Sequence, residues 1–142
     1  MPSFTMQLPD LKALGPLVDI RVAVGSPVEE ALKKANTPIP APVPAKGLID
    51  TGATGSVIQP SIVSRLGLQP IGIVNICTPS SSNVACKQYI VRLIFPNSVF
   101  AEVPAIEAPM QGQQIECLIG RDVLSHAVLV YNGYMNQFTM SF

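Results

Sequence analysis

Residues 48–58 have the sequence Leu-Ile-Asp-Thr-Gly-Ala-Thr-Gly-Ser-Val-Ile. The first two, both apolar, predict the end of a buried strand, and the two glycines predict a turn before the apolar run resumes. Asp50 is therefore expected at a strand end, half-buried and held by rigid backbone, where a carboxyl group can act as an acid or a base. Asp and Gly are also common in purely structural turns, so this turn alone leaves both interpretations open.

A nucleotide site is a competing interpretation, because Asp-x-Gly-x-Thr also opens the phosphate-binding hairpin of sugar kinases and actin-like ATPases. Those folds need two large domains with several phosphate loops, which a chain of 142 residues does not supply. The sequence also contains no G-x-x-x-x-G-K-S/T motif. These observations argue against nucleotide binding.

The composition of the chain narrows the classes of fold and of binding partner that it can have. A length of 142 residues fits one domain, and 14 Pro and 10 Gly leave little room for long helices. A hydrophobic fraction of 48% argues against disorder, and nine basic residues balanced by nine acidic ones argue against nucleic acid or membrane partners. No apolar run is long enough for a transmembrane helix, and three cysteines without a C-x-x-C pair suit a cytoplasmic protein.

The periodicity predicts a mainly β fold, an antiparallel barrel or sandwich with two or three short helices. Ser26 is expected to cap a helix, with Glu29 closing a capping box, and Asn132-Gly133 predicts a tight hairpin. Helices are predicted at 27–36, 60–66 and 121–125, and strands at 18–24, 71–77, 84–95, 99–106, 117–119, 127–131 and 134–142.

Residues 1–45 are predicted to form an N-terminal arm, a strand, a short helix and a proline-rich connector, packed on a domain of residues 46–142. Proline occupies every second position from 38 to 44. Proline donates no ladder hydrogen bond, so this segment is not expected to be a central strand. A surface connector is favoured over a ligand for a partner protein, because the segment leads directly into a strand.

A second segment gives the Asp50 turn its context. Residues 117–124 have the sequence Cys-Leu-Ile-Gly-Arg-Asp-Val-Leu. Together with residues 48–58 they resemble retropepsin-like aspartic proteases, and the arrangement looks like the bacterial members of that family. The resemblance covers residues 46–142 and implies a small closed β barrel. In that family the first segment bears the catalytic Asp, here Asp50, and the second crosses behind it and begins a short helix.

Catalysis in this family needs two carboxylates that share one proton, since like charges about 3 Å apart cannot both ionise. The chain has four Asp residues, and only Asp50 lies in an Asp-Thr-Gly context. The resemblance therefore implies a homodimer that places Asp50 and its twin across a two-fold axis. It further implies an endopeptidase that uses water as the nucleophile, needs no metal or cofactor, and acts on extended peptides or proteins.

The residues after Asp50 take roles from the same resemblance. Thr51 is expected to grip the partner across the dimer axis, and Gly52 to meet the substrate backbone. Ala53 stands where pepsin-like enzymes usually have Ser, whose hydroxyl would favour the charged carboxylate. Without that hydroxyl, we expect activity at mildly acidic rather than strongly acidic pH.

The second segment supplies the expected structural support, which consists of Gly120, Arg121 and Asp122. In viral relatives the Arg pairs with an acid just beyond the catalytic turn, where this chain has Thr54 and Gly55. Arg121 is therefore expected to pair with Asp122, with Glu116 or with a terminal backbone carbonyl. The C-terminal strand, residues 134–142, is expected to pair within the domain or with a partner copy, since an unpaired apolar strand is prone to aggregate.

A hairpin flap over the substrate is expected around residues 78–83. Its tip is polar and free of glycine, unlike the Gly-rich viral flaps. Cys77 and Cys86 are symmetric about residues 81–82, so they could form a cross-strand disulfide or remain two thiols, as a cytoplasmic protein favours. Cys117 is expected in the core. The expected flap residues are Thr78, Pro79, Ser80, Ser81, Ser82 and Asn83.

Two other functions remain open. A catalytically inactive dimeric module with the same fold could bind peptides or proteins in its groove, and the glycine-free flap and the missing acid for Arg121 motivate this alternative. The chain could also be a processing domain that acts within a larger assembly. Fold alone does not decide among these functions.

Overall fold

The computed structural model of the chain describes residues 1–78, 81–110 and 114–142, and these residues form two sheets on one core. The described residues contain ten strands and four short α-helices. Helices α1–α4 span Leu11–Leu14, Ser26–Lys34, Pro60–Leu66 and Arg121–Leu124. Strands β1–β10 span Ser3–Gln7, Leu17–Val24, Val43–Ile49, Val57–Ile58, Gly72–Thr78, Ser81–Ile94, Phe100–Glu107, Cys117–Ile119, Val128–Asn132 and Gln137–Ser141.

The larger sheet closes on itself. Its strand order is β2-β3-β8-β4-β7-β6-β5, and β2 also pairs with β6, so six strands form a ring and β5 extends from it. The pairs β3–β8 and β4–β7 are parallel, and the other pairs are antiparallel. The predicted mainly β class and closed barrel are confirmed, although the barrel is mixed rather than purely antiparallel.

The smaller sheet has the order β1-β10-β9 and is antiparallel throughout. Its middle strand, β10, is the C-terminal strand, which therefore pairs within its own chain on both sides. Phe4 of β1 and Phe138 and Met140 of β10 are buried in the common core. The Phe4 ring stacks on Phe95 with 5.9 Å between the ring centroids, which joins this sheet to the barrel.

Helix α3 shows how local signals set an element's ends. It begins at Pro60, whose fixed φ suits the first turn, and ends at Gly67, which adopts the left-handed conformation at φ 63°. Ile62 and Leu66 bury the inner side of the helix against the barrel. Prediction and structure agree here to the residue. None of the helices in the described part of the chain is long and apolar enough to cross a membrane.

The predicted capping box of helix α2 is wrong. Gly25 occupies the N-cap position and has no side chain with which to cap the helix, and the Ser26 amide donates to the Glu102 carboxylate at 3.1 Å instead. Ser26 is the first helical residue, and its hydroxyl donates to the Glu102 carboxylate at 2.7 Å. Glu29 instead forms an ion pair with Arg92 at 3.1 Å. Tertiary partners on the barrel thus replace the local cap that the sequence favours.

The proline-rich segment enters the barrel earlier than predicted. Residues 37–42 lie outside the strands, as expected of a connector, but Val43 and Pro44 belong to β3 and pair with β2. On its other side β3 pairs with β8 only from Gly47 to Ile49. Pro44 therefore lies where β3 has a single neighbouring strand, and the ring tolerates its missing donor. The division of the chain at residue 45 stays a prediction.

The loop of the hairpin near the C-terminus is longer than the sequence predicts. Asn132 pairs with Gln137, so the loop has four residues rather than the two-residue turn predicted at Asn132-Gly133. The Asn132 side chain accepts a hydrogen bond from the Met135 backbone at 3.1 Å, and Asn136 takes the left-handed conformation at φ 53°. Two asparagines together therefore shape this turn.

Candidate active site

Parallel pairing of β3 and β8 brings the two sequence motifs together. Ile49 pairs with Ile119, so the next residues, Asp50 and Gly120, lie side by side at the same end of the barrel. The Asp50 amide donates to the Ile119 carbonyl at 2.9 Å, and the Arg121 amide donates to the Ala53 carbonyl at 2.9 Å. The Asp50 turn is thus hydrogen-bonded at both of its ends to the segment of residues 117–124.

The Asp50 carboxylate is half-buried and partly free. The Gly52 amide donates to its Oδ1 at 2.9 Å, and the structure gives it no second donor among the described residues. A Cβ atom at position 52 would lie 3.2 Å from that oxygen, so glycine keeps the space beside the carboxylate open. Thr51 and Gly52 are exposed. On its solvent-exposed side the carboxylate can therefore accept a hydrogen bond from a water molecule or from a second carboxyl group.

A buried hydrogen-bond network holds the far half of the turn. The Ser56 side chain is fully buried, and its hydroxyl donates to Asp122 Oδ1 at 2.8 Å and accepts from the Gly120 amide at 3.1 Å. The Ser56 amide donates to Asp122 Oδ2 at 2.9 Å, and the Val123 amide donates to Oδ1 at 2.9 Å. Asp122 therefore joins the turn to helix α4.

Gly120 permits the close crossing of the two segments. A Cβ atom there would lie 2.5 Å from the carbonyl carbon of Gly55 and 2.6 Å from its oxygen. No side chain fits in that space, because backbone atoms cannot give way as a flexible side chain could. The glycine in the second motif is thus required by packing against the first.

Arg121 does not form any of the pairs that the sequence suggested. Its Nη1 donates to the backbone carbonyl of Thr51 at 2.8 Å, and its Nη2 donates to the Thr54 hydroxyl at 3.2 Å. Glu116 instead accepts from the Lys46 amide at 3.1 Å. The carbonyl partner lies in the Asp50 turn and not at a chain terminus. The guanidinium therefore spans this turn, in which Thr54 and Gly55 stand where viral relatives have an acid.

Cys117 confirms its predicted place in the core. The residue has 0% exposure and lies on β8, three residues before Gly120. Burial and the nearby Asp122 carboxylate raise the pKa of its thiol to about 12. The thiol is therefore neutral at physiological pH and serves packing rather than chemistry.

Between the turn and the β5–β6 hairpin lies a cleft of about 640 Å³. Most of its lining is apolar and comes from the turn, β4, β5 and β7, and two amides, Asn75 and Gln88, add hydrogen-bonding groups. The apolar lining residues include Ala53, Val57, Val74, Ile76 and Ile106. Among the described residues, no group of three His, Cys, Asp or Glu side chains could hold a metal ion.

The predicted hairpin exists, but its register differs from the prediction. Thr78 pairs with Ser81, and the two residues between them, Pro79 and Ser80, lie outside the described residues. Ser81, Ser82 and Asn83 belong to β6, and the register shifts between Ile76 and Thr78. The hairpin's use as a flap stays a prediction.

This register separates the two hairpin cysteines. Cys86 pairs with Val74 rather than with Cys77. Cys77 is exposed, Cys86 is buried, and both thiols are free. The proposed cross-strand disulfide is therefore wrong for this fold, and the alternative of two separate thiols holds. The error follows from centring the hairpin two residues too late.

Comparisons with known proteins agree with this geometry. The profile of a family described as aspartyl protease matches residues 41–123, which include the first motif and all but the last residue of the second. A retropepsin-like aspartic protease from Rickettsia conorii superimposes with a TM-score of 0.52 at 10% identity, over 99% of this chain and 94% of that one. The foamy viral protease-reverse transcriptase gives a TM-score of 0.50 at 17% identity, over 78% of this chain.

The chain corresponds to only 12% of the foamy viral chain. No curated protein sequence is significantly similar to it. At these identities the structural likenesses show the fold, while the profile match spans more than half of the chain. The chain therefore belongs to the aspartyl protease family and has the retropepsin-like fold.

Proposed function

We propose that this chain is an aspartic endopeptidase that acts as a homodimer through Asp50 and the Asp50 of a second copy. One observation carries the proposal. The half-buried Asp50 carboxylate receives one backbone donor, from Gly52, and otherwise faces an exposed surface at the end of a rigid barrel. A lone carboxylate cannot supply both the acid and the base that peptide hydrolysis needs, and a symmetric copy supplies the other.

In this mechanism the two carboxylates share one proton. The ionised one takes a proton from a water molecule as that water attacks the scissile carbonyl, and the protonated one donates to the carbonyl oxygen. The resulting diol then collapses as the C–N bond breaks. The first carboxyl passes its proton to the leaving nitrogen and the second takes a proton from a diol oxygen, which restores the singly protonated pair. Gly52 holds one oxygen of Asp50 and leaves the rest of the carboxylate accessible. Arg121 and the Ser56–Asp122 network keep the turn in place, so the carboxylates need no rearrangement during the reaction.

The cleft beside the turn is proposed to hold the substrate as an extended strand. Its lining is mainly apolar, and its amides at Asn75 and Gln88 can each donate and accept hydrogen bonds to a bound peptide. Residues 78–83 would cover the bound peptide as a flap, and Thr51 would grip the partner copy. Residues 120–122 would keep their supporting role.

The second candidate function is a dimeric peptide-binding module without catalysis. The glycine-free hairpin tip favours it, because a stiffer tip would close less readily over a substrate. The same cleft would then bind a peptide and release it intact. Cleavage assays separate the two functions directly.

The test is cleavage of a diverse peptide mixture between pH 2 and pH 8, with the products identified by mass spectrometry. We expect Asp50→Asn to lower the rate by roughly a thousandfold or more, because it removes the acid–base pair. The matched control is Asp19→Asn, since the Asp19 side chain is 74% exposed on β2 and should not affect the rate. The specific activity of the wild type should rise with protein concentration.

Two results would leave the proposed dyad without support, and a third would contradict only the role assigned to Ala53. Equal cleavage by wild type and Asp50→Asn would identify a contaminant. A folded, dimeric wild type that cleaves nothing would favour the binding module. A rate that peaks near pH 2 would contradict the role assigned to Ala53 while leaving the dyad intact.

A further inference from the structure

A second hollow, of about 680 Å³, borders Asp50 and is separate from the cleft beside the β5–β6 hairpin. Most of its lining is apolar and comes from α1, the turn after α1, the end of β3, and β9. Among the described residues that line it, Lys12 and Asp50 are the two that carry a charge. We call this space the Lys12 hollow. It brings one amine to the same open space as the proposed catalytic carboxyl group.

Hydrogen bonds from two strands hold helix α1 at the edge of the Lys12 hollow. Leu11 is fully buried, and its carbonyl accepts from the Tyr131 hydroxyl of β9 at 3.4 Å. After the helix, the Pro16 carbonyl accepts from the Ile49 amide of β3 at 3.1 Å. Ile49 directly precedes the proposed catalytic residue, so the backbone that carries Lys12 is anchored beside it. The Lys12 side chain itself is exposed.

Lys12 has no acidic partner in the part of the chain that the structure describes. The ion pairs there are formed by three other cations, Lys33, Lys46 and Arg92. The nearest acid along the chain, Asp10, caps α1 by accepting from the Ala13 amide at 3.1 Å. Strand β9 supplies no acid either, since residues 127–142 contain no charged residue. The Lys12 amine is therefore available to a ligand that enters the hollow.

Positive charge exceeds negative charge around the catalytic pair of the proposed homodimer. Two Asp50 carboxyl groups that share one proton carry one negative charge between them, whereas each copy brings its own Lys12. The Arg121 guanidinium, on the same turn, donates to a carbonyl and a hydroxyl and not to a carboxylate. The Asp122 carboxylate lines the cleft, but three donors already bind it. A site with this balance favours substrates of negative charge.

We propose that Lys12 selects peptides with an acidic side chain close to the scissile bond. The inference rests on the proposed function and names the class of substrate that the site prefers. The Asp50 turn lines both spaces, with Gly52 in the cleft and Asp50 in the hollow, so a peptide extended across the turn enters both. Side chains on one face of an extended peptide recur about every 7 Å. One of the three side chains on either side of the scissile bond therefore reaches Lys12.

The hollow suits glutamate in particular. Leu14 and Tyr131 line it and are 44% and 51% exposed, so they offer apolar surface to the aliphatic stem of that side chain. The carboxylate at the end of the stem would pair with the Lys12 amine. Lys12 thus acts on substrate binding, and the chemistry stays with Asp50.

The experiment starts from the peptide that the wild type cleaves fastest in the mixture. That peptide is resynthesised with Glu, Gln or Lys at each of the three positions on either side of the scissile bond, and cleavage is measured at pH 6. Glutamate in a peptide is ionised there, since its ordinary pKa is about 4.3. At one position or more, we expect kcat/KM to be roughly fivefold higher with Glu than with Gln, as a partly exposed ion pair supplies. The difference should lie in KM and not in kcat, because the contact is the same before and during the reaction.

Substitutions of Lys12 test whether this residue causes the preference. Lys12→Glu should invert it, so that the Lys peptide is cleaved faster than the Glu peptide. Lys12→Met should cleave all three peptides within roughly twofold of one another, and it serves as the second variant if Lys12→Glu does not fold. Lys34→Glu is the matched control, because it makes the same change in net charge at an exposed position of α2 that lies outside the lining of the hollow. It should keep the wild-type preference.

The outcomes separate this inference from the proposed function. Equal kcat/KM for Glu, Gln and Lys at all six positions, or an unchanged preference in folded Lys12→Met, would overturn the inference, while loss of cleavage in Asp50→Asn would still support the proposed function. An equal loss of rate on all three peptides in the Lys12 variants would also overturn it, because Lys12 would then act on Asp50 and not on the substrate. If the wild type cleaves no peptide, the proposed function fails and the inference fails with it.

Discussion

The two sides of the Asp50 turn differ in how much of their surface is covered by contacts within one chain. On the inner side, residues 53–56 are bonded to β8 and α4 through the buried Ser56 and the Asp122 carboxylate. On the outer side, Asp50 and Thr51 line an open hollow together with Tyr131 of β9, a strand that has one neighbouring strand in the described part of the chain. Almost every polar group is paired on the inner side, whereas apolar surface remains uncovered on the outer side.

This difference separates stability from association. A change on the inner side removes contacts that exist within one chain, so it should lower the free energy of unfolding. A change on the outer side touches few contacts within the chain, so it should leave the folded monomer intact and, in the proposed homodimer, alter dimerisation. Arg121 joins the two sides, because it donates both to Thr51 and to Thr54.

Gly120→Ala should give the largest effect on the inner side. The new Cβ atom would lie 2.5 Å from the Gly55 backbone, and neither segment can move without breaking the Ser56 network. We expect a loss of about 3 kcal/mol or more in the free energy of unfolding, measured by urea denaturation. Gly72→Ala is the control, since no atom lies within 4 Å of a Cβ there. Equal stability of the two variants would contradict the close crossing.

The sequence predicts the parts of this site that depend on neighbouring residues. The Asp50 turn, the short strand and helix at residues 117–124, and the bounds of α3 all follow from apolar runs, Gly and Pro within a few positions. The resemblance of the two motifs to those of retropepsin-like proteases then predicts the closed barrel, because in that family the second motif crosses behind the first.

The sequence does not predict contacts that depend on three-dimensional register. Ser56 and Asp122 are 66 residues apart, and nothing local marks them as partners, although a Ser within an apolar run is a weak signal of a buried bond. The sequence offers Asp122, Glu116 or a terminal carbonyl as partners of Arg121, whereas the structure pairs it with the Thr51 carbonyl inside the turn, because both carboxylates accept from other groups. The prediction of the hairpin register is wrong for a similar reason. Its centre was placed two residues too late in the chain, so Cys86 pairs with Val74 and not with Cys77.

Ser56→Ala should give an intermediate effect and tests the buried network itself. The substitution leaves the Gly120 amide without an acceptor and removes one donor from Asp122. Buried groups left unpaired in this way cost about 1–3 kcal/mol of unfolding free energy. Thermal and urea unfolding should show this loss, with Ser64→Ala on the exposed side of α3 unchanged within about 0.5 kcal/mol. A Ser56→Ala variant as stable as the wild type would mean that the inner side does not depend on this network.

Cys117→Ala should give the smallest effect and a characteristic pH dependence. At pH 7 the lost sulfur should cost about 1 kcal/mol of unfolding free energy. Burial and Asp122 raise the pKa of the thiol from its ordinary value of 9.0 to about 12, so the folded protein favours the neutral thiol. That preference is fully present below pH 9 and is lost as the pH rises from 9 to 12, because the unfolded chain ionises first.

The wild type should therefore lose about 1.4 kcal/mol per pH unit relative to Cys117→Ala across that range, and the two proteins should be equally stable near pH 10. Burial and the Glu107 hydrogen bond also raise the pKa of Tyr89 to about 12, but that contribution is common to both proteins and cancels in the difference. Urea denaturation at each pH under reducing conditions measures the difference. A constant difference from pH 7 to pH 11 would place the Cys117 thiol in contact with water, and the inner side would then be as open as the outer.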